Sequence, residues 1–322
     1  MNSDVLLLSR SEVTKNLDPR ALVSLLGEAF QLHSSRSKRK VPPSHNHVLS
    51  GGTLSASYVG ALESIPAYSV KVETRLAGRT PSISGVVNLF DLETARLLAV
   101  LESSYISGIG SALTGALAAD LLAAPDSRSL AIVGTGTQGW LGLRFLMEMR
   151  EIEEVRLFDL SRRKCRRIAE KLSKYKSLKV TVCDSLSDAV SSADIINCAT
   201  WSQQPFLYSE MVKPGAHIST LGADEKGKKE LAPELLRLCR YFCDDRDLAR
   251  SVGPLQGLRQ AKHLEIFELG EVLAGDIDGR RSEEEITVYG AVGLPFVDLL
   301  ASWVTYRKAL RRKRGQSINY LG

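Results

Sequence analysis

Residues Gly134-Thr135-Gly136-Thr137-Gln138-Gly139 stand between the apolar run SLAIV and the amphipathic run WLGLRFLMEM. A buried strand, a glycine turn and a helix in that order make a site for the pyrophosphate of a dinucleotide. The unpaired amides and the dipole at the helix start favour an anion there. Gly134 makes the tight turn, Gly136 lets the backbone approach the phosphate, and Gly139 lets helix and strand pack closely. Thr137 and Gln138 complete the cradle. Asp159 ends the next apolar run, RLFD, 25 residues after Gly134. A carboxylate at that place accepts the ribose hydroxyls and repels a 2′-phosphate, so NAD is the expected cofactor. Ser161, Arg162 and Arg163 follow at once and can hold that phosphate, which keeps NADP as the alternative.

A second glycine run, SGIGSALTG (107–115), lies about one helix upstream. It follows LESSYI, which does not read as a strand buried on both faces, and from Ala112 the spacing is already helical. It therefore fails as a phosphate turn. Asp224, in ISTLGADEKGKKEL, lies just past the carboxyl end of a strand, where ligands of doubly wound sheets sit, and suits general acid/base work. Its neighbours Glu225 and Glu230 read as solvated. Lys71, in AYSVKVET, falls on the face opposite Val70 and Val72; a lysine inside a strand marks either a site or a sheet edge. His45 and His47 read as exposed residues of a polar loop.

The elements that must position these groups follow from periodicity. DVLLL (4–8) reads as a strand, and Asp18-Pro19 as a helix start with a capping carboxylate. RSKRKVPPSHNH reads as a loop. Four strand-like runs follow up to about residue 103, separated by turns, as an antiparallel or mixed sheet. The alanine-spaced segment from Ile106 is a helix stopped by Pro125. Strands and helices then alternate, with helical stretches at 187–192 and 208–212 among them, which predicts an α/β fold with a doubly wound parallel sheet. A last helix runs from about Pro295 to Arg314.

At 322 residues, with 44% hydrophobic and 25% charged residues, the chain has room for two domains. The net charge of +5 is scattered, so solvated faces explain the basic runs and no nucleic acid is expected. Five dispersed cysteines form no metal-ligand pattern and suit a reducing cytoplasm. No secretory signal, no membrane-spanning segment and no GxSxG nucleophile is seen.

Taken together, the blocks GVVNLFDLETARLLAVLESSYISGIGSALTGALAADLL, AIVGTGTQG, DIINCATWSQQPFLYSEMVKPGAHISTLGADEKGKKEL and VGLPFVDLLASWVTYRKAL resemble the ornithine cyclodeaminase/mu-crystallin family. The resemblance implies a Rossmann domain (117–299) and a substrate and dimerisation α+β domain built from both chain ends (1–116 and 300–322). It implies an NAD(P)-dependent oxidoreductase acting on a C–N bond of a small imine or amino-acid-like substrate, working as a homodimer. Alternatives within the family are a cyclodeaminase and a non-catalytic binder of cofactor and small ligand. Lys71 matches the family's substrate-domain lysine and Asp224 its proton-transfer aspartate. Thr200, Trp201 and Ser202 match the segment lining the cofactor, and Val292 and Gly293 the loop near the nicotinamide.

The resemblance also exposes a departure. Two arginines that hold the substrate carboxylate in the family are replaced, one by Gly110 and one by Ser44. Three readings stay open: a substrate without a free carboxylate, for which Gly110 opens space; another cation, with Arg75 and Arg79 as candidates although each reads as an exposed loop residue; or binding without catalysis.

Overall fold

The computed structural model describes residues 4–35, 45–49, 52–76, 82–258 and 264–319. Ser44 and Arg79 lie outside the described residues. The chain folds as two compact units, one of Met1–Ala29, Arg36–Gly110 and Leu294–Gly322, the other of Phe30–Ser35 and Ser111–Gly293.

The first unit holds strands β1 (Asp4–Leu8), β2 (His45–Val48), β3 (Leu54–Ala61), β4 (Ala67–Arg75), β5 (Ile83–Asp91), β6 (Leu97–Glu102) and β15 (Gln316–Asn319). They form a seven-stranded sheet in the order β15-β1-β6-β5-β4-β3-β2. Only β1 and β6 run parallel; the other neighbours are antiparallel. Helix α1 (Arg10–Asn16) follows β1, and helix α10 (Pro295–Arg311) crosses β3, β4 and β5. The approach at its start is close: a Cβ on Gly60 would lie 2.3 Å from the Pro295 carbonyl oxygen. Strand alternation sorts β4 unusually. Ala67, Ser69, Lys71 and Glu73 are buried, while Val72 points the other way. Register places Val59, Val72 and Val86 of three adjacent strands on that other face, at 39%, 40% and 39% exposure.

One expectation is corrected here. His45 and His47 are not in a loop: they lie on β2, opposite Ser57 and Ser55 of β3, and are exposed. An edge strand held by main-chain bonds needs no apolar alternation, so its polar sequence carried no strand signal. The run SGIGSALTG, which fails as a phosphate turn in the sequence, lies wholly within a helix. Helix α3 (Ser103–Leu122) begins at Ser103 and takes in the whole run. Its glycines serve packing: at Gly115 a Cβ would sit 2.9 Å from Leu221 Cδ1. Among the described residues α3 is also the one helix long and apolar enough to cross a membrane, but 67% of it is buried inside the fold, as in a core helix.

The second unit completes α3 and the end of helix α2 (Pro19–Ser34). Its strands are β7 (Ser129–Val133), β8 (Glu154–Phe158), β9 (Lys179–Val182), β10 (Ile195–Cys198), β11 (His217–Thr220), β12 (Arg240–Cys243), β13 (Ile266–Glu268) and β14 (Thr287–Gly290). All eight are parallel, in the order β13-β12-β14-β11-β10-β7-β8-β9. Helices α4 (Thr137–Met149), α5 (Arg162–Leu172) and α6 (Leu186–Val190) connect the first four, and α7 (Pro233–Leu238), α8 (Arg246–Ser251) and α9 (Leu269–Ala274) follow. The stretch expected to be helical at 208–212 is a single 3-10 turn, Ser209–Met211. The core strands are short and buried on both faces, as in a covered parallel sheet. Strand order reverses between β7 and β10, and this switch point is where such sheets receive ligands.

Candidate functional site

At the switch point the glycine turn leaves β7. Gly134 has φ +91°, and a Cβ on it would lie 2.5 Å from the Ala199 carbonyl oxygen at the end of β10. Only glycine suits that place. A Cβ on Gly139 would meet the Gly134 carbonyl oxygen at 2.0 Å, so helix and turn touch. Gly136, by contrast, has nothing within 4 Å of its Cβ position. It is exposed, as is Thr137, with Gln138 half-buried. Gly136 caps α4 without a side-chain hydrogen bond, so the first-turn amides keep their donors for an anion.

Asp159 secures this turn. Its Oδ2 accepts from the Thr135 amide at 2.8 Å and the Thr135 hydroxyl at 3.1 Å, and its Oδ1 from the Ser161 amide at 2.8 Å. Arg162 pairs with Asp184.

Beyond β10 and β11 the chain is stitched by a carboxylate that reads as solvated in the sequence and is not. Glu230 is fully buried. Its Oε1 accepts from the Thr200 amide at 2.8 Å and hydroxyl at 2.7 Å; its Oε2 accepts from the Thr220 hydroxyl at 2.7 Å and the Gly222 amide at 3.1 Å. Burial pushes its carboxyl up, against the pull of these four donors. Glu230 thus ties the Thr200–Ser202 segment to the loop that carries Asp224. Ser202 joins the same segment through its amide, 3.2 Å from the Thr200 hydroxyl. Glu225 is also not solvated but half-buried, with Lys228 3.5 Å away.

Asp224 lies past the end of β11, partly exposed, and accepts from Lys228 Nζ at 3.0 Å. The ammonium of Lys228 lies 4.1 Å from the centre of the Trp201 ring, a cation–π contact. Val292 and Gly293 follow β14, and both of their amides donate to Asp244 Oδ2, at 2.9 and 2.8 Å. Asp244 also accepts from the Tyr289 hydroxyl. Burial raises the Asp244 carboxyl to about 6, although those two amides pull it down.

In the other unit Lys71 is 6% exposed and sits among carboxylates. Its Nζ is 2.7 Å from Asp298 Oδ2 and 3.7 Å from Glu73 Oε2. It donates to the Ser107 hydroxyl at 3.0 Å and lies 4.5 Å from the Tyr58 ring centre. Arg75 is not an exposed loop residue. It ends β4 with its side chain largely buried, and its Nε and Nη2 donate to Glu73 Oε1 at 3.0 and 2.6 Å. Nor does Gly110 leave open space: a Cβ there would meet Val297 Cγ1 at 2.6 Å.

Sequence reasoning missed Glu230, Lys228, Asp244, Asp298 and Glu73. Three had a signal: Lys228 is spaced i+4 from Asp224, Glu73 shares Lys71's strand face, and Asp298 lies in the first turn after Pro295. Asp244 and Glu230 had none, because nothing local says where their donors are.

The sequence pattern of the ornithine cyclodeaminase/mu-crystallin family matches residues 3–313. Ketimine reductase mu-crystallin of Mus musculus is 32% identical over 313 residues, covering 89% of this chain and 97% of that protein. The solved Thermococcus litoralis Delta(1)-pyrroline-2-carboxylate reductase, in complex with NADH and L-proline, superposes with a TM-score of 0.90 at 26% identity, covering 98% of this chain and 100% of that one. An archaeal alanine dehydrogenase dimer with bound NAD also superposes with a TM-score of 0.90 at 26% identity, over 99% of this chain and 100% of that one.

Proposed function

The chain belongs to the ornithine cyclodeaminase/mu-crystallin family, and from that premise we propose that it is an NAD(P)-dependent oxidoreductase acting on the C–N bond of a small imine or amine. The observation that carries this reading is the turn from Gly134 to Gly139 with Asp159 bound to it. It offers an open, uncapped helix start for the pyrophosphate and a fixed carboxylate for a ribose. Both oxygens of Asp159 are already held by backbone amides, so a 2′-phosphate would face an immobile negative charge. NAD is therefore the expected cofactor. When bound, the nicotinamide supplies the hydride that reduces the C=N carbon, or takes it back in the reverse direction.

The chain's own groups handle the proton and the substrate. Asp224 is the assigned proton relay: the imine nitrogen gains one proton as the carbon gains hydride, and the carboxyl is restored from solvent. Lys228 Nζ, 3.0 Å away, donates to the Asp224 carboxylate and holds it in place. Lys71 anchors or polarises the substrate. Thr200, Trp201, Ser202, Val292 and Gly293 are the assigned cofactor-lining residues, held by Glu230, Lys228 and Asp244. Exposed Val59, Val72 and Val86 suit a homodimer through the free sheet face, and five free cysteines suit the cytoplasm.

Turnover tests the reading: nicotinamide absorbance is followed with cyclic imines, with 2-oxo acids plus amines, and with their amidated counterparts. Imine-dependent oxidation of NADH is expected. A folded protein that binds cofactor but oxidises none of it across that panel contradicts it and favours a binding role. Release of ammonia from a diamino acid, without net change in NADH, would instead mark a cyclodeaminase. Light scattering checks the dimer, which a monomeric mass at micromolar concentration would exclude.

A further inference from the structure

Lys71, Ser107 and Asp298 come from three different elements, β4, α3 and α10, and close a ring. Lys71 Nζ lies 2.7 Å from Asp298 Oδ2 and donates to Ser107 Oγ at 3.0 Å, while Ser107 Oγ donates to Asp298 Oδ1 at 3.1 Å. We propose that Asp298 is a positioning residue that orients the Lys71 side chain and keeps it an ammonium, so that Lys71 serves the substrate as a charge and hydrogen-bond donor and never as a base. Its consequence for turnover rests on the assignment of Lys71 to the substrate; the ring itself does not.

Each element contributes to that end. Asp298 lies in the first turn of α10, whose dipole favours a carboxylate there. Ser107 and Gly110 are three residues apart and share one face of α3. Gly110 meets Val297, the neighbour of Asp298, so closely that a Cβ would stand 2.6 Å from Val297 Cγ1. The missing side chain thus lets the start of α10 lie against α3 and brings Asp298 within reach of Lys71. The other charges around Lys71 do not replace Asp298. Glu73 Oε2 is at 3.7 Å, too far for a hydrogen bond, and Glu73 Oε1 is occupied by Arg75. The Tyr58 ring at 4.5 Å adds a weaker attraction. Burial pushes the Lys71 ammonium down, but the carboxylates of Asp298 and Glu73 outweigh it and the net direction is up.

The test is the titration of Lys71 itself, followed by NMR of protein carrying 13Cε-lysine, with the resonance identified by its loss in Lys71→Met. In Asp298→Asn the Lys71 midpoint should fall by roughly 1–3 pH units relative to wild type. The alkaline limb of the kcat/KM profile should move down with it, and Asp298→Glu should recover part of the shift. NADH affinity, a property assigned to the other unit, should stay within about twofold. An unchanged Lys71 midpoint overturns the proposal. Should Asp298→Asn not fold, Asp298→Ser removes the same charge with a smaller side chain, and a midpoint unmoved there overturns it equally. A shifted midpoint with no effect on any turnover would keep the ring and instead remove Lys71 from the substrate's machinery.

Discussion

The Thr135 amide and hydroxyl both donate to one oxygen of Asp159, at 2.8 and 3.1 Å. The carboxylate expected to read the ribose therefore also pins the glycine turn to the end of β8. Removing it should loosen the proposed phosphate cradle as well as the proposed ribose contact. Asp159→Ala should weaken NADH binding about 10- to 100-fold, the cost of losing hydrogen bonds to a charged group. NADPH affinity should fall less, because the repulsion of a 2′-phosphate is lost at the same time. Calorimetric titration with each dinucleotide decides; equal losses for both would contradict the selectivity role.

Glu230 is a structural linchpin for two loops. Glu230→Ala leaves the buried donors of Thr200, Thr220 and Gly222 without an acceptor and should cost about 2–4 kcal/mol of stability. Urea unfolding reads this directly. Glu230→Gln, which keeps one carbonyl oxygen, should lose less. A Glu230→Ala protein as stable as wild type would mean that the four bonds carry little net energy.

His217 is buried between the Thr287 and Ser219 hydroxyls, each 3.0 Å from a ring nitrogen. Burial, with Arg280 and Arg150 adding to it, lowers its pKa from 6.5 to about 3. The folded state therefore binds fewer protons than the unfolded one between those values. Its contribution is fully present above pH 6.5 and is lost as pH falls toward 3, at about 1.4 kcal/mol per pH unit inside the window. Asp244 acts in the opposite sense: its raised pKa favours the folded state at low pH and loses that contribution as pH rises from about 4 to about 6. Comparing wild type with His217→Asn across pH isolates the histidine. The stability difference should shrink steadily below pH 6.5, and a difference independent of pH would refute the assignment.

Gly110 and Val297 make a joint prediction. Gly110→Arg alone should destabilise the fold by about 1–3 kcal/mol through overpacking. Adding Val297→Ala should restore part of that loss. If a carboxylate-bearing imine is a poor substrate of the wild type for want of a guanidinium at this place, the double variant should lower its KM and leave the KM of the amide counterpart unchanged. A wild type that already prefers the free carboxylate would exclude the idea that the natural substrate lacks one.

How far the sequence could be read depended on whether the signal was local. The strand, glycine turn and helix around Gly134–Gly139 were legible because they are contiguous and the glycines have steric jobs, as Gly134 and Gly139 show. The parallel sheet was legible from alternating apolar strands. The edge strand β2 was not, since main-chain pairing with β3 leaves no trace in side-chain type. The second glycine run was rightly set aside as a phosphate turn, because helical spacing already begins within it. That the helix starts as early as Ser103 carried no signal, since glycines that let helices approach look the same in sequence as glycines that bend a chain. The carboxylates were read least well. Glu230 and Glu225 stand in a charged, apparently solvated segment, yet one is buried by donors that arrive from β10, β11 and the loop after them. Burial of a charge is decided by partners distant in sequence, and composition is blind to them.

The most direct test of the central claim is equilibrium dialysis of the purified, folded chain against NADH and NADPH, beside Gly134→Ala. One dinucleotide site per chain is expected in the wild type, with NADH the tighter ligand. The variant should lose it, because a methyl group there meets the Ala199 carbonyl at 2.5 Å. Retention of neither dinucleotide by the folded wild type would contradict the cofactor site and the C–N oxidoreductase built on it.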